Sequence, residues 1–507
     1  MQQTREKVAV AEGTPVMARW WAIALVVVSA AAVLVLELIS VRLAAPYVGN
    51  TFQTYTASIG VTLAAIALGA NLGGWAADTW PAKAIIGPLL ALGGVLVLAS
   101  KPIVLAVGPL VRDTGPAGSI ILIGLAAALP VAVLSAISPV VVKTQLWTLK
   151  DSGTVVGRFS AFGTVGGLAG TFLTGYVLLA TLPVSVILVG TGVVLVAMGI
   201  WQLVGSRWLA TKQAVVGVVL VLLLAVGGAA ALPVPCDYET AYYCARVTDD
   251  PQRPGGRTLW LDDARHSYVD INDYRYLGFE YTQRYGDVVN AMAPVGKPLR
   301  ALHIGGGGFT MPRWLAATRP GSTSRVLEVD PVVVRLGRER LGLRTSDSLQ
   351  VRVGDARVSI RSEPAAGYDL VVGDAFGSTA VPWHLATKEF AAEVRRVLRP
   401  GGVYVLNVID LPPLSLLGAE IATVRAVFGT VTVMGTRKAL HGKEGGNFVI
   451  VAGDLPDRQT LLAAGAKRGE PDDVASAPQL AALVGDARPL TDDRAPVDQL
   501  ITTYRYV

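Results

Sequence analysis

Cysteine is nearly absent from these 507 residues: Cys236 and Cys244 are the only two. They form no CxxC pair and no Cys/His cluster, which removes a structural zinc site, and no metal is expected. Charge is also scarce. Asp, Glu, Lys and Arg make up 16% of the chain, against roughly 25% in soluble proteins. No GxxxxGK[ST] occurs, so a P-loop is excluded. No basic stretch is interleaved with stacking aromatics. The net charge of +6 therefore gives no reason to expect nucleic acid, because Lys and Arg fall in short loops between apolar runs.

What the chain has instead is apolar length. Hydrophobic residues make up 52%, and most of the charge follows residue 236. A membrane span needs about 20 apolar residues. Seven candidates fit, roughly 20–44, 56–77, 84–107, 118–142, 157–180, 183–204 and 213–232. The first is long and lacks a small-residue cleavage site, so it reads as a retained anchor. Gly163, Gly166, Gly167 and Gly170 would let helices approach closely. Basic residues (Lys83, Lys143, Lys150, Arg158, Arg207 and Lys212, with Arg5, Lys7 and Arg19 ahead of the first span) cluster in alternate loops, predicting a cytoplasmic N-terminus. Seven spans would put the rest of the chain outside, where Cys236 and Cys244 either pair or stay as two thiols. Glu37, inside LELISVRLAAPYVG, is either half of a structural ion pair or part of a transport site. GANLGGWAADTWPAK (69–83) resembles the loop between the second and third helices of major facilitator transporters.

From residue 257 the pattern becomes strand–helix–strand. RALHIGGGGF, SRVLEVD, LQVRVGDA, YDLVVGDAF and VYVLNVI read as five strands, with FEYTQRYGDVVNAMA (279–293), PRWLAATRP, VVVRLGRERLG and EFAAEVRRVLRPGG as helices. That alternation predicts a parallel, doubly wound sheet with ligands at the carboxyl ends of its strands. Gly305, Gly306, Gly307 and Gly308 form the first turn, where glycine permits close approach to a ligand. Glu328, about 20 residues on, suits the two hydroxyls of a ribose. Asp355 can accept a hydrogen bond from an adenine amino group. Asp374, ending the fourth strand, is placed to face the reactive end of an adenosyl ligand.

At these residues the stretch 237–452 resembles the polyamine aminopropyltransferase (spermidine synthase) family, in its bacterial subset fused to a membrane region. HIGGGGF, VLEVDP, VGDAR and YDLVVGDAF stand in the family's order, and TDDRAPV (491–497) is similar to the fused subset. The resemblance implies that Glu328 binds the ribose of decarboxylated S-adenosylmethionine, that Asp355 and Ala356 bind its adenine, and that Asp374 accepts a proton. It also implies a co-substrate without a tightly bound cofactor, a small amine partner and a homodimer. The departures lie on the amine side. The family's second acid is Gly377 here, the acid of its glycine loop is Gly308, and its histidine before the retained Glu280 is Phe279. Tyr243 and His266 replace glutamines, and LDD (261–263) stands for LDG. Asp262, His266, Glu280 and His384 are candidates for compensating contacts.

The expected architecture is a membrane bundle of α-helical spans followed by an α/β Rossmann-like sheet of the methyltransferase type, itself preceded by a small β-strand region. The boundaries are 1–19 for a cytoplasmic segment, 20–232 for the bundle, 233–295 for the β region and 296–507 for the Rossmann-like domain. The expected function is a membrane-bound aminopropyltransferase acting on an amine such as putrescine. The alternatives are an S-adenosylmethionine-dependent methyltransferase and a non-enzymatic transporter or sensor with a degenerate nucleotide domain. Span count places the soluble domain outside the cytoplasm, and ligand chemistry places it inside.

Overall fold

The computed structural model describes residues 17–49, 51–111, 114–146, 152–205, 236–262, 264–377, 381–467 and 472–501. The chain divides into two compact units, Met1–Val234 and Pro235–Val507.

In the first unit six helices are long and apolar enough to cross a membrane: α1 (Arg19–Val48), α2 (Phe52–Thr79), α3 (Ala82–Val111), α4 (Pro116–Gln145), α5 (Ser152–Thr181) and α6 (Val184–Val204). The seventh expected span, 213–232, lies outside the described residues. Small residues make the contacts between helices. A methyl group on Gly166 would sit 2.4 Å from the Val27 carbonyl oxygen, and one on Gly170 would sit 2.6 Å from that of Ala31. The glycines of α5 therefore bring its backbone against that of α1, as helix association in lipid favours. On α2, Gly69 and Gly73 meet the backbone of Ala132 and Ala136 on α4 in the same way. Asp78 at the end of α2 pairs with Lys143 near the end of α4. The Glu37 backbone carbonyl accepts hydroxyls from Ser40 and Ser58.

The second unit begins with a four-stranded antiparallel sheet, β1 (Tyr238–Glu239), β2 (Cys244–Asp249), β3 (Gly256–Leu261) and β4 (Ala264–Asp270), followed by α7 (Glu280–Met292). A disulfide joins Cys236 to Cys244, with Cα atoms 5.3 Å apart. Next come β5 (Arg300–Ile304), α8 (Thr310–Thr318), β6 (Thr323–Glu328), α9 (Pro331–Arg340), β7 (Leu349–Val353) and β8 (Tyr368–Gly373). They continue into α10 (Lys388–Val397), β9 (Leu398–Asp410), α11 (Ser415–Phe428), β10 (Val431–Thr436), β11 (Gly446–Gly453), α12 (Arg458–Lys467) and β12 (Asp472–Val474).

The eight-stranded sheet has the order β12-β10-β11-β9-β8-β5-β6-β7. β5 to β9 are mutually parallel, as the sequence predicts. β10, β11 and β12 extend the sheet antiparallel from β9 and lie beyond the last strand read from the sequence. One expected boundary differs. The helix at 389–402 ends at Val397, and Leu398–Gly402 opens β9 instead, because Pro400 has no N–H to continue a helix. Apolar side chains of β5, β8 and β9 fill both faces of the sheet, with Leu302, Val371 and Tyr404 on one side and Ala301, Val372 and Val405 on the other. Chain order runs outward from β5 to β6 and β7 on one side and from β8 to β9 on the other, so β5 and β8 flank the crevice where ligands bind in such sheets.

Candidate active site

Two turns meet at that crevice. The Asp374 N–H donates to the Ile304 carbonyl at 2.9 Å, which continues the β5–β8 ladder by one residue. Gly305, the first residue after β5, has φ +94°, and a methyl group on it would lie 2.4 Å from the Asp374 carbonyl oxygen. Only glycine meets both requirements. Gly306 donates its N–H to Glu328 at 2.7 Å, and Glu328 also accepts the Asp330 N–H at 2.9 Å. Glu328 is 6% exposed, and burial raises its pKa against these donors. Gly307 has φ +47°, and Gly308 donates its N–H to the Ser267 hydroxyl on β4 at 2.9 Å. The small sheet is thereby held against the glycine turn.

Asp355 follows β7 and caps the short helix Ala356–Ser359, accepting the Arg357 N–H at 2.7 Å. Ala356 is buried at the foot of this helix. The other Asp355 oxygen lies 3.3 Å from His384 Nε2. Arg357 is gripped by the Thr387 hydroxyl at 3.1 Å and by Asp492, which also accepts from Thr387 at 2.7 Å. Asp492 belongs to TDDRAPV, so that motif braces the helix beside Asp355.

Asp374 is half-buried. Its Oδ2 accepts the Tyr281 hydroxyl of α7 at 3.0 Å and its Oδ1 accepts the Asn407 amide of β9 at 3.1 Å. Asn407 in turn accepts from the Asn447 amide of β11 at 3.1 Å. Tyr285 donates to the Gly373 carbonyl at 3.1 Å. Burial pushes the Asp374 pKa up to about 6, although both hydrogen bonds favour the carboxylate. The same burial, with Asp374 nearby, holds the Tyr281 and Tyr285 hydroxyls well above the usual phenol range. Asp374 lines a cavity of about 580 Å³.

No family model matches the chain. The polyamine aminopropyltransferase of Vibrio vulnificus is 34% identical over 217 residues, covering 40% of this chain and 70% of that one. The chain belongs to the polyamine aminopropyltransferase family. It is an enzyme of the spermidine-synthase type. Polyamine aminopropyltransferase 2 of Streptomyces coelicolor is 28% identical over 444 residues, covering 81% of this chain and 78% of that one, so the match runs into the helical unit. The crystal structure of a probable spermidine synthase from Corynebacterium glutamicum is 25% identical, with a TM-score of 0.48, and covers 54% of this chain and all of that one.

The remaining residues expected at this aminopropyltransferase's site fall in three places. His266 and Glu280 line the cavity with Asp374. Glu280 is bound to Arg284 at 3.0 Å. His266 Nε2 is buried without a hydrogen-bond partner among the described residues, and burial lowers the ring's pKa to about 4. Tyr243 packs against His266 and donates to the Phe376 carbonyl at 2.9 Å. Asp262 sits in the β3–β4 turn with φ +56° and accepts the Cys244 N–H at 3.0 Å. His384 lies with Asp355, on the far side of Glu328 in strand order from Asp374. At Gly308 an added methyl group would lie 2.8 Å from Ser267 and 2.9 Å from Val269. The close seat of β4 thus accounts for glycine at the position where the resemblance implies an acid in the family.

Sequence reasoning missed Asn407, Asn447, Tyr281 and Ser267. Asn407 carried a signal, because it is the one polar residue within the apolar run VYVLNVI. Asn447 and Ser267 carried none, since each matters through a strand brought near by the fold.

Proposed function

We propose that this protein is a membrane-bound aminopropyltransferase that moves the aminopropyl group of decarboxylated S-adenosylmethionine to the nitrogen of a small primary amine such as putrescine. The observation that carries this reading is Asp374: a half-buried carboxylate at the switch point, held by two donors, opening on a cavity, with a pKa of about 6. The attacking nitrogen forms a bond to the methylene beside the sulfonium. The carbon–sulfur bond breaks, its electrons stay on sulfur, and neutral methylthioadenosine leaves. The nitrogen's proton passes to Asp374. A base whose pKa lies a little below the working pH takes that proton while still being mostly ionised beforehand.

The placement of Glu328 beside Gly306 supports a ribose contact, with Gly305 and Gly307 giving the backbone room for the ligand. Asp355, with Ala356 behind it, supports an adenine contact. Holding donor and amine in line supplies much of the remaining acceleration. The apolar helices α1–α6 support a bilayer location, and a paired Cys236–Cys244 supports an oxidising side for the soluble unit.

The test is purified full-length protein in detergent with decarboxylated S-adenosylmethionine and a panel of amines, followed by mass spectrometry. Methylthioadenosine and an aminopropylated amine are expected. A methylated product formed from S-adenosylmethionine would identify a methyltransferase instead. Absence of any product with every amine would remove the proposal.

A further inference from the structure

A side-chain amide has two unlike ends. Its NH2 group donates, its oxygen accepts, and the two exchange places when the group turns over. Asn407 presents Nδ2 to the Asp374 carboxylate at 3.1 Å. Its Oδ1 therefore points the other way. Asn407 is 2% exposed, so that oxygen needs a donor from the protein. The donor is Asn447, whose Nδ2 lies 3.1 Å from it. Turning Asn407 over would set donor against donor at Asn447 and oxygen against oxygen at Asp374.

Two contacts place Asn447. In the sheet, β11 pairs with β9 so that Val449 stands opposite Asn407 and Asn447 opposite Ile409. Asn447 is thus diagonally across the ladder from Asn407 and on the same face. From α7, Arg284 donates to the Asn447 backbone carbonyl at 3.2 Å. Arg284 is 1% exposed and is tied to Glu280, one turn earlier, at 3.0 Å. Helix α7 therefore reaches Asp374 by two routes. Tyr281 donates to it directly, and Arg284 reaches it through Asn447 and Asn407.

We infer that Asn447 is a positioning residue for the transfer step: its amide holds Asn407 in the one orientation that donates to Asp374, and the Glu280–Arg284 pair holds Asn447 in place. This rests on the aminopropyl-transfer reading above, in which Asp374 takes the proton of the attacking nitrogen. Asn447 acts through Asn407 and not on the reacting atoms. Without its donor, the Asn407 oxygen is free to turn toward Asp374. An acceptor beside a carboxyl group favours the protonated acid, whose O–H can donate to it. The other charged or titratable groups facing the site among the described residues are Glu280, Tyr281 and Arg284 on α7, Arg265 and His266 on β4, and Asp250 just after β2. None of them is altered in the variants below.

The test is the kcat–pH profile of methylthioadenosine release by the full-length protein with decarboxylated S-adenosylmethionine and putrescine. Asn447→Leu removes the donor at similar size, while the Arg284 bond, made to the backbone carbonyl, remains available. The acid limb, with a wild-type midpoint near 6, is expected to move to higher pH by about one unit. On the alkaline plateau kcat should stay nearly unchanged. The Asn407→Leu/Asn447→Leu double variant should share the midpoint of Asn407→Leu alone, because nothing is left for Asn447 to orient. Calorimetric binding of the adenosyl ligand checks that each variant is folded. If Asn447→Leu does not bind it, Asn447→Ala replaces it with the same expected direction. An unmoved midpoint overturns the inference while leaving aminopropyl transfer intact. So does a kcat lowered equally at every pH, which marks a purely structural role, and so do additive shifts in the double variant. No release by the wild-type protein overturns both readings together.

Discussion

The carboxylate of Asp374 owes its character to its neighbours. Burial raises its pKa, while Tyr281 and Asn407 pull the other way. Activity should therefore fall on the acid side with a midpoint near 6, because below it the base is protonated. Removing one donor, as in Asn407→Leu, lifts that midpoint. A hydrogen bond to a charged group contributes about 1.5–3 kcal/mol, so the acid limb should move up by about one to two units, read from a kcat–pH profile. Asp374→Asn should lower kcat by about 10²–10⁴-fold with adenosyl-ligand binding retained by calorimetry. His384 belongs to the other end. With Asp355 3.3 Å away, His384→Ala should raise KM for the adenosyl donor several-fold and leave kcat nearly unchanged, a split that steady-state kinetics resolves.

Among the elements, the β5 and β8 turns decide the site. Gly305 is confined by its positive φ and by the Asp374 carbonyl. Gly305→Ala should cost about 1–3 kcal/mol from backbone strain alone, visible as a lowered Tm, and should displace Asp374. The acids at the ends of β6, β7 and β8 were legible in the sequence, because a parallel sheet exposes strand ends in chain order. The partners of those acids were not. Asn447 reaches Asn407 only through the antiparallel pairing of β11 with β9, and nothing local in GGNFVIV encodes that register. The three antiparallel strands lie beyond the last strand read from the sequence, and β12 has only three residues. For His384, a candidate amine contact by sequence, the fold supplies a neighbour that sequence does not encode, with Nε2 lying 3.3 Å from Asp355. Asp492 shows the same limit. As a motif it was recognisable, but its work of gripping Arg357 and Thr387 depends on contacts more than a hundred residues away.

On the scale of the whole molecule, an apolar helical unit and an enzymatic unit share one chain, and composition alone separated them. The disulfide closes a loop with a sequence separation of 8, and removing it as Cys236→Ser should destabilise the soluble unit by about 2.5 kcal/mol in the loop-entropy account. If 213–232 completes a seventh span above a cytoplasmic N-terminus, a reporter fused after Val507 should score on the external face, and one scoring inside would mean an even number of spans and reduced thiols. The bond also hands the experimenter a ready tool. These two residues are the whole thiol content of the chain, and both are tied up. Any cysteine introduced elsewhere is a unique chemical address, so the loops between helices can be mapped one at a time by maleimide labelling without first building a cysteine-free background.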